Sequence, residues 1–480
     1  MAGGSKLGGK VRALRRRAKM TQADLAERLG ISPSYMNMIE LDRRSLSAPL
    51  LIKLAQIFQL DLKDFAAGDE GRLMADLLEL FGDPLFEGHE LGTAEVREAA
   101  STCPSVARAV LALYHTYQGV RETANTLAVR LHDGEEPMGM DHGARLPSEE
   151  VTDLIQRQMN HFPALEEGAE AIRREAGLEG EDLFQGLARY LDRAHGIQVR
   201  IEKVGAMRGA VRRFVPERRE LVLSELLRRG SRNFQLAYQV GRLTQSAALE
   251  GVSRDRLLTT EDSRALCRVA LANYFAAAVL MPYGPFLDAA RSERYDIELL
   301  SHRFRASFEQ VCHRLTTLRR SGDEGIPFHL IRIDIAGNIS KKFSGSGIRF
   351  ARFSGACPLW NVFAAFLTPG MFRVQISRMP DGTAYFSVAR TLRKETGGYH
   401  SPHPMEAIEI GCEIRHAREL VYADGVDLEN LDAAVPVGVT CRLCERMDCE
   451  QRAFPALHYP LQVDENVRGV NFYTPAGGRG

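Results

Sequence analysis

Three cysteines, Cys441, Cys444 and Cys449, fall within the stretch TCRLCERMDC at residues 440–449 of a 480-residue chain. The Cys-x2-Cys step lets two thiolates reach one metal from a tight turn, and Cys449, five residues on, can supply a third. A fourth ligand has to come from elsewhere in the chain. Cys412, in GCEIRHA, is the best candidate; Cys357, in ACPLW, and His416 are weaker ones. A four-cysteine site holds zinc or an iron–sulfur cluster, and spacing alone does not choose between them. Three reduced thiols with no metal remain the plain alternative. Cys103, Cys267 and Cys312 lie in helical patterns and read as small core residues.

What must position these thiols is a long chain. Its length points to roughly three domains. A hydrophobic fraction of 45% and a charged fraction of 26% describe a globular protein. No apolar run reaches the roughly 18–20 residues of a membrane span; ALANYFAAAVLMPY at 270–283 reads as a buried helix. The start, MAGGSKLGGK, has no apolar signal core behind its charges, so a cytoplasmic location is expected. Thiols stay reduced there, which favours metal or redox chemistry over a disulfide. The formal net charge is zero but unevenly spread. Residues 1–60 hold eleven Lys or Arg against four Asp or Glu, a net of +7, so the remainder carries −7. A basic head on an acidic body suits a nucleic-acid-binding end.

That head divides cleanly. VRALRRRAKM is amphipathic, with Val11, Leu14 and Ala18 on one face. Thr21 can cap a second helix that Gly30 ends, and Ser32 a third with Pro33 at its first position; Ser47 can cap a fourth. Two short helices around a tight turn make a helix-turn-helix. The run TQADLAERLGISPSYMNMIELDRRSLS (21–47) closely resembles the bacterial Xre and phage-repressor type of DNA-binding domain. The resemblance implies that the helix after the turn enters the major groove of double-stranded DNA. Pro33, Ser34 and Asn37 then face bases, and Gln22, Tyr35, Arg43 and Arg44 contact backbone or flanking bases.

One head is a small interface, so a homodimer is expected. Between 105 and 132, Val106, Val110, Leu113, Tyr117, Val120, Ala124, Leu127 and Leu131 recur at three- and four-residue steps. This helix can serve a dimer or pack on its own domain. The segment at 133–150 reads as a linker.

Residues 150–320 read as mostly helical around a small sheet at 196–224. The order of strands then two helices, with ANYFAAAVLMP in the second, resembles the zincin-like ImmA/IrrE domains that often follow an Xre head. Active members carry His-Glu-x-x-His on the first helix. Here the five matching residues are Tyr238, Gln239, Val240, Gly241 and Arg242, so both ligands and the base are absent. The second helix offers only Arg268 and Asn273 for the third ligand. Peptidase chemistry is thereby rejected, and with it a repressor-cleaving metallopeptidase. What survives is a cleft with an aromatic, an amide and an arginine, to which the strands add Arg200, Lys203, Arg208, Arg212 and Arg213. Several cations suit an anion such as a nucleotide-like phosphate. The alternative is that Tyr238 and Arg242 merely fill the space of the lost zinc.

From Ile326 the pattern turns to strands separated by AGN, SGSG and PDG turns, a mixed α+β region. RYDIELLSHRFRASFEQVCHRLTTL, RIDIAGNISKKFS, ACPLWNVFAAF, MPDGTAYFSVARTL, GCEIRHARELVYADG and GVTCRLCERMDCEQRAFPAL follow in order. Together they look like the short-chain fatty-acyl family of transcriptional regulators, over nearly the whole chain. That resemblance implies a fold that is mainly α with α+β portions. An all-α Xre head spans 1–67 and a helical dimerisation region 68–146. A degenerate zincin-like α+β domain spans 147–325, and a cysteine-bearing α+β domain 326–480. It also implies control of propionate or acetate metabolism by a short acyl-coenzyme A or coenzyme A. It tilts Cys412, Cys441, Cys444 and Cys449 toward a [4Fe–4S] cluster, with zinc as the alternative. A purely redox-responsive regulator, its cleft a fossil, is the remaining rival.

Overall fold

The computed structural model describes residues 11–12, 14–15, 20–40, 44, 48–58, 68–86, 92–133, 146–179, 182–351, 356–393, 400–401, 403–442 and 444–456. The chain divides into two compact units: residues 1–143 with 352–354 and 455–462, and residues 144–351, 355–454 and 463–480. The fold class read from the sequence holds, mainly helical with two mixed sheets.

The first unit holds two apolar cores. In the head, α1 (Gln22–Leu29), α2 (Pro33–Glu40) and α3 (Ala48–Phe58) close over Leu25, Ala26, Leu29, Met36, Ile39 and Leu54. Thr21 and Asp24 form a reciprocal capping box, and Gly30 ends α1 in the left-handed region at φ 73°. The Ser32 hydroxyl accepts from the Tyr35 N–H at 3.1 Å, and Pro33 opens α2. The turn is thus fixed by caps at both ends. The second core joins α4 (Gly68–Leu80), α5 (Thr93–Thr102) and α6 (Pro104–Asp133). Ala107, Leu111 and Tyr114 of α6 are buried in it, while Val106 and Leu113, on a neighbouring stripe, are 61% and 71% exposed.

In the second unit, α7 (Pro147–Arg157), α8 (Pro163–Glu175) and α9 (Leu183–His195) lead into β1 (Gln198–Glu202), β2 (Arg212–Val215) and β3 (Glu220–Ser224). The strand order is β1-β3-β2, with β1 parallel and β2 antiparallel to β3. Then come α10 (Arg229–Thr244), α11 (Ser246–Ser253), α12 (Glu261–Leu280), α13 (Tyr283–Ser292), α14 (Ile297–Phe304) and α15 (Phe308–Leu315). Helix α10 lies hard against α12 because Gly241 has no side chain: a Cβ there would stand 2.5 Å from Phe275 Cδ1. A six-stranded sheet follows in the order β5-β4-β8-β7-β6-β9. Its strands are β4 (His329–Asp334), β5 (Ile339–Ser344), β6 (Arg373–Arg378), β7 (Ala384–Arg393), β8 (Met405–Glu413) and β9 (Val435–Pro436). One apolar core runs from Val151 to Ala423 and takes in Leu330, Phe386, Ile408, Ile410 and Cys412, so one face of the sheet packs on the helices before it. A smaller core, with Ile331, Ile333, Trp360, Val362 and Val437, covers the other face of the sheet.

Candidate functional site

In the head, Pro33, Ser34 and Asn37 are exposed on the first turns of α2, Tyr35 is half-buried and Arg44 is exposed. Arg43 lies outside the described residues. Gln22 donates to Glu40 Oε2 at 2.7 Å and to Asn37 Oδ1 at 3.4 Å, which ties α1 to the exposed face of α2. Glu40 anchors this arrangement and was not singled out in the sequence. It is 3% exposed and holds the Arg15 guanidinium in two hydrogen bonds, 2.6 and 3.0 Å. Burial pushes its carboxyl up, but the hydrogen bonds from Arg15 and Gln22 and the nearby Arg12 hold it below the usual range. The signal was present as a lone acid closing a helix in a basic head.

In the middle region, the Arg212 guanidinium carbon sits over the Tyr238 ring, 3.8 Å from its centre, and Arg212 donates to Gln239 Oε1 at 3.1 Å. Arg242, exposed, stands close enough to push the Arg212 guanidinium down, adding to burial and opposed by Tyr238. Among the described residues, no carboxylate pairs with Arg212 or Arg242. The structure therefore brings Arg212, Tyr238, Gln239 and Arg242 together. It places Lys203, Arg208 and Arg213 around the helical turn Val204–Met207: the first two bracket it, and Arg213 donates to the Met207 carbonyl at 3.2 Å. Arg200 is paired with Glu202 and Glu220, and Arg268 with Glu250 and Glu261.

In the cysteine region, one cavity is lined by Cys357, Pro358, Pro436, Gly438, Thr440, Cys441, Cys444, Cys449 and Arg452. Cys357 reaches it from the loop before Trp360. Its N–H donates to the Val439 carbonyl at 3.1 Å, and the Trp360 indole donates to the Gly438 carbonyl at 2.8 Å. Gly438 allows a close approach, since a Cβ there would meet Cys444 Sγ at 3.1 Å. The Ala453 N–H donates to Cys441 Sγ at 3.4 Å. Among the described residues no three His, Cys, Asp or Glu side chains close on one point as a bound ion needs; the four thiols surround the cavity instead. None of the eight cysteines, all among the described residues, is in a disulfide.

The expectation for Cys412 differs from this arrangement. Cys412 sits on β8 opposite Phe386, fully buried in the large core on the other face of the sheet, and burial pushes its thiol far up. The residue at the cavity is Cys357, given only second rank in the sequence. His416 is also elsewhere, bonded to Glu419. Cys267 and Cys312 are buried as expected, but Cys103 is exposed, at the C-cap just past the end of α5.

Residues 11–65 match the helix-turn-helix family, 192–316 the IrrE N-terminal-like domain, and 317–473 the C-terminal domain of the short-chain fatty acyl coenzyme A regulators. The chain is 40% identical over 465 residues to the propionyl-CoA carboxylase regulator of Cereibacter sphaeroides, covering 96% of this chain and 97% of that one. It is 38% identical over 469 residues to the HTH-type transcriptional regulator RamB of Mycobacterium tuberculosis, covering 97% and 98%. A solved structure described as a Mycobacterium tuberculosis transcriptional regulator is 40% identical, with a TM-score of 0.66 over 69% of this chain and 100% of that one. Among the described residues no single helix is long and apolar enough to cross a membrane. Similarity of this depth, along nearly the full chain and through three matched regions in order, places the protein in the short-chain fatty acyl coenzyme A regulator family, as a helix-turn-helix transcriptional regulator and not an enzyme.

Proposed function

We propose that this chain regulates genes of short-chain acyl-coenzyme A metabolism of the propionate or acetate type, and that an acyl-coenzyme A or coenzyme A bound in its second unit sets its affinity for DNA. The observation that carries the effector reading is the pair Arg212 and Arg242. Arg242 takes the place of one peptidase zinc ligand and Arg212 stacks on Tyr238 at the place of the other, and among the described residues no carboxylate pairs with either. A half-buried guanidinium stacked on a tyrosine is a phosphate site in waiting, since arginine binds phosphate by charge-assisted, often bidentate hydrogen bonds. A ligand alters DNA binding only through a differential affinity for two arrangements of the protein. The test is calorimetric titration of the full chain with acetyl-, propionyl- and free coenzyme A. Saturable heat is expected, and Arg212→Ala should weaken it about tenfold or more, the worth of a hydrogen bond to a charged group. Absence of saturable heat would hand the function to a redox-only regulator.

The DNA partner is read by α2. Asn37→Ala is expected to cost about 1–3 kcal/mol on a specific operator and little on random DNA. Arg44→Ala should weaken both and lower the salt slope by about one. Competition binding at several salt concentrations separates the two, and equal losses for Asn37→Ala on both DNAs would remove it from base reading. A homodimer through α6 supplies the second head. Val106 and Leu113 are exposed beside the face that α6 buries at home, and the seven-residue spacing continues to Val120 and Leu127, whose side chains lie outside the described residues. Leu113→Asp is expected to halve the sedimenting mass of a folded chain, and an unchanged mass would take α6 out of that role.

The cysteine cavity supports the same reading for a [4Fe–4S] cluster: four cysteines line one space, and Gly438 lets Cys444 come close. Cys357, Cys441, Cys444 and Cys449 would hold it. Such a cluster supplies one-electron, oxygen-sensitive chemistry, so its occupancy can report redox state to the regulator.

A further inference from the structure

Arg452 lines the cysteine cavity and is 4% exposed. Its Nη1 donates to the Cys441 carbonyl at 2.6 Å and the Phe454 carbonyl at 3.3 Å. Its Nη2 donates to the carbonyls of Cys444 and Arg446, both at 2.7 Å. The Arg452 N–H also donates to the Cys449 carbonyl at 3.3 Å. One residue thus bonds the backbone of all three clustered cysteines. The loop has no regular structure of its own: residues 441–454 contain no helix or strand among those described.

The charge is the second observation. Carbonyl dipoles satisfy N–H groups but do not neutralise a cation, and a buried charge is costly unless it is paired. Among the described residues Arg452 meets no carboxylate, and its Nε is buried with no acceptor. Nη1 of the neighbouring Arg446, itself bonded through Nη2 to the Arg378 carbonyl, is likewise buried without an acceptor. Among the described residues, the other polar side chains lining the cavity are the Thr440 hydroxyl and the four thiols, and only the thiols can turn anionic. Thiols are poor partners for a guanidinium, whereas metal-bound thiolates carry the negative charge that the site lacks.

We propose that Arg452 is the positioning residue of the cysteine site, holding the Cys441, Cys444 and Cys449 turn in its ligating shape, and that its charge balances an anionic metal–thiolate group in the cavity. The proposal rests on the reading that the four cysteines hold a metal. It makes two separable claims, because a clamp needs the planar fork of arginine while a counter-charge needs only a cation.

The test uses the full chain purified without oxygen, as wild type, Arg452→Gln and Arg452→Lys. Metal release to a chelator should be about 10–100-fold faster in both variants, the range found when residues supporting metal ligands are lost. Where iron is bound, Arg452→Gln should move the midpoint potential to a more negative value, since loss of a cation disfavours the added electron. Arg452→Lys should largely restore the potential while leaving release fast. Equal shifts in the two variants would overturn the counter-charge, and unchanged release would overturn the clamp. If the wild type holds zinc, release alone decides. If it holds no metal, the metal reading fails and the counter-charge falls with it. The clamp is then judged on the metal-free chain by alkylation rates of Cys441, Cys444 and Cys449 under native conditions: faster in both variants keeps it, equal rates remove it. Should Arg452→Gln fail to fold, Arg452→Lys carries the release measurement and Arg452→Met supplies the uncharged arm for the potential.

Discussion

Protein purified without oxygen is expected to be brown with about four iron per chain, and Cys357→Ser is expected to empty the site as completely as serine at 441, 444 or 449. Cys412→Ala should leave it loaded. The difference follows from which face of the large sheet each residue serves. Cys412 alternates with Glu413 on β8 and points into the core shared with Phe386, Val388 and Ile410. Cys357 belongs to the loop on the opposite face and bonds back to Val439, two residues before Cys441. Burial pushes its thiol up, and it lines one cavity with Cys441 and Cys444. Iron and sulfide analysis of the five single variants decides. Iron kept in Cys357→Ser but lost in Cys412→Ala would return the fourth ligand to β8. A colourless chain with one tight zinc would keep the four thiols and replace the cluster. A chain without metal would leave reduced thiols only.

The head was legible because its determinants are local. Thr21, Gly30, Ser32 and Pro33 act within a few residues of themselves, and each is found doing what its type dictates. The cysteine turn was legible for the same reason: its three thiols share nine residues. What closes these local pieces was harder to read. Glu40 meets Arg15 across 25 positions, and Cys357 meets its partners across more than 80, through a sheet whose order, β5-β4-β8-β7-β6-β9, no periodicity states. Alternation along β8 marks Cys412 as facing one side of a sheet without saying which side holds the metal. The missing His-Glu-x-x-His was visible as a loss, but the filling of that space was not. It depends on Arg212 of β2 reaching Tyr238 of α10, a contact between elements 26 residues apart.

Arg314→Met should be the most damaging single change to the fold of the second unit, at about 3–5 kcal/mol near neutral pH, the cost of breaking a buried ion pair. Arg314, on α15, is fully buried, and its guanidinium grips both oxygens of Glu166 on α8, at 2.6 and 2.9 Å. It also donates to the Met281 carbonyl, and Tyr274 of α12 donates to Glu166 at 2.6 Å, so three helices meet at one charge pair. Burial alone would raise the Glu166 carboxyl; Arg314 and Tyr274 more than offset this and hold it below its ordinary value. In the wild type the pair therefore contributes stability that is present above the unfolded carboxyl value of about 4.3 and is lost as pH falls through the lower folded value. In Arg314→Met the burial remains and the cation is gone, so the folded value rises above the unfolded one and the sign reverses. Stability is then present at low pH and lost as pH rises through the raised value. The cost relative to wild type should be larger at pH 7.5 than at pH 5, and adding Glu166→Gln should recover part of it, because the stranded charge is removed. Urea unfolding followed by near-ultraviolet circular dichroism at the two pH values measures this. A cost that is the same at both, or that Glu166→Gln deepens, would mean that Arg314 stabilises the helices by packing and not by its charge.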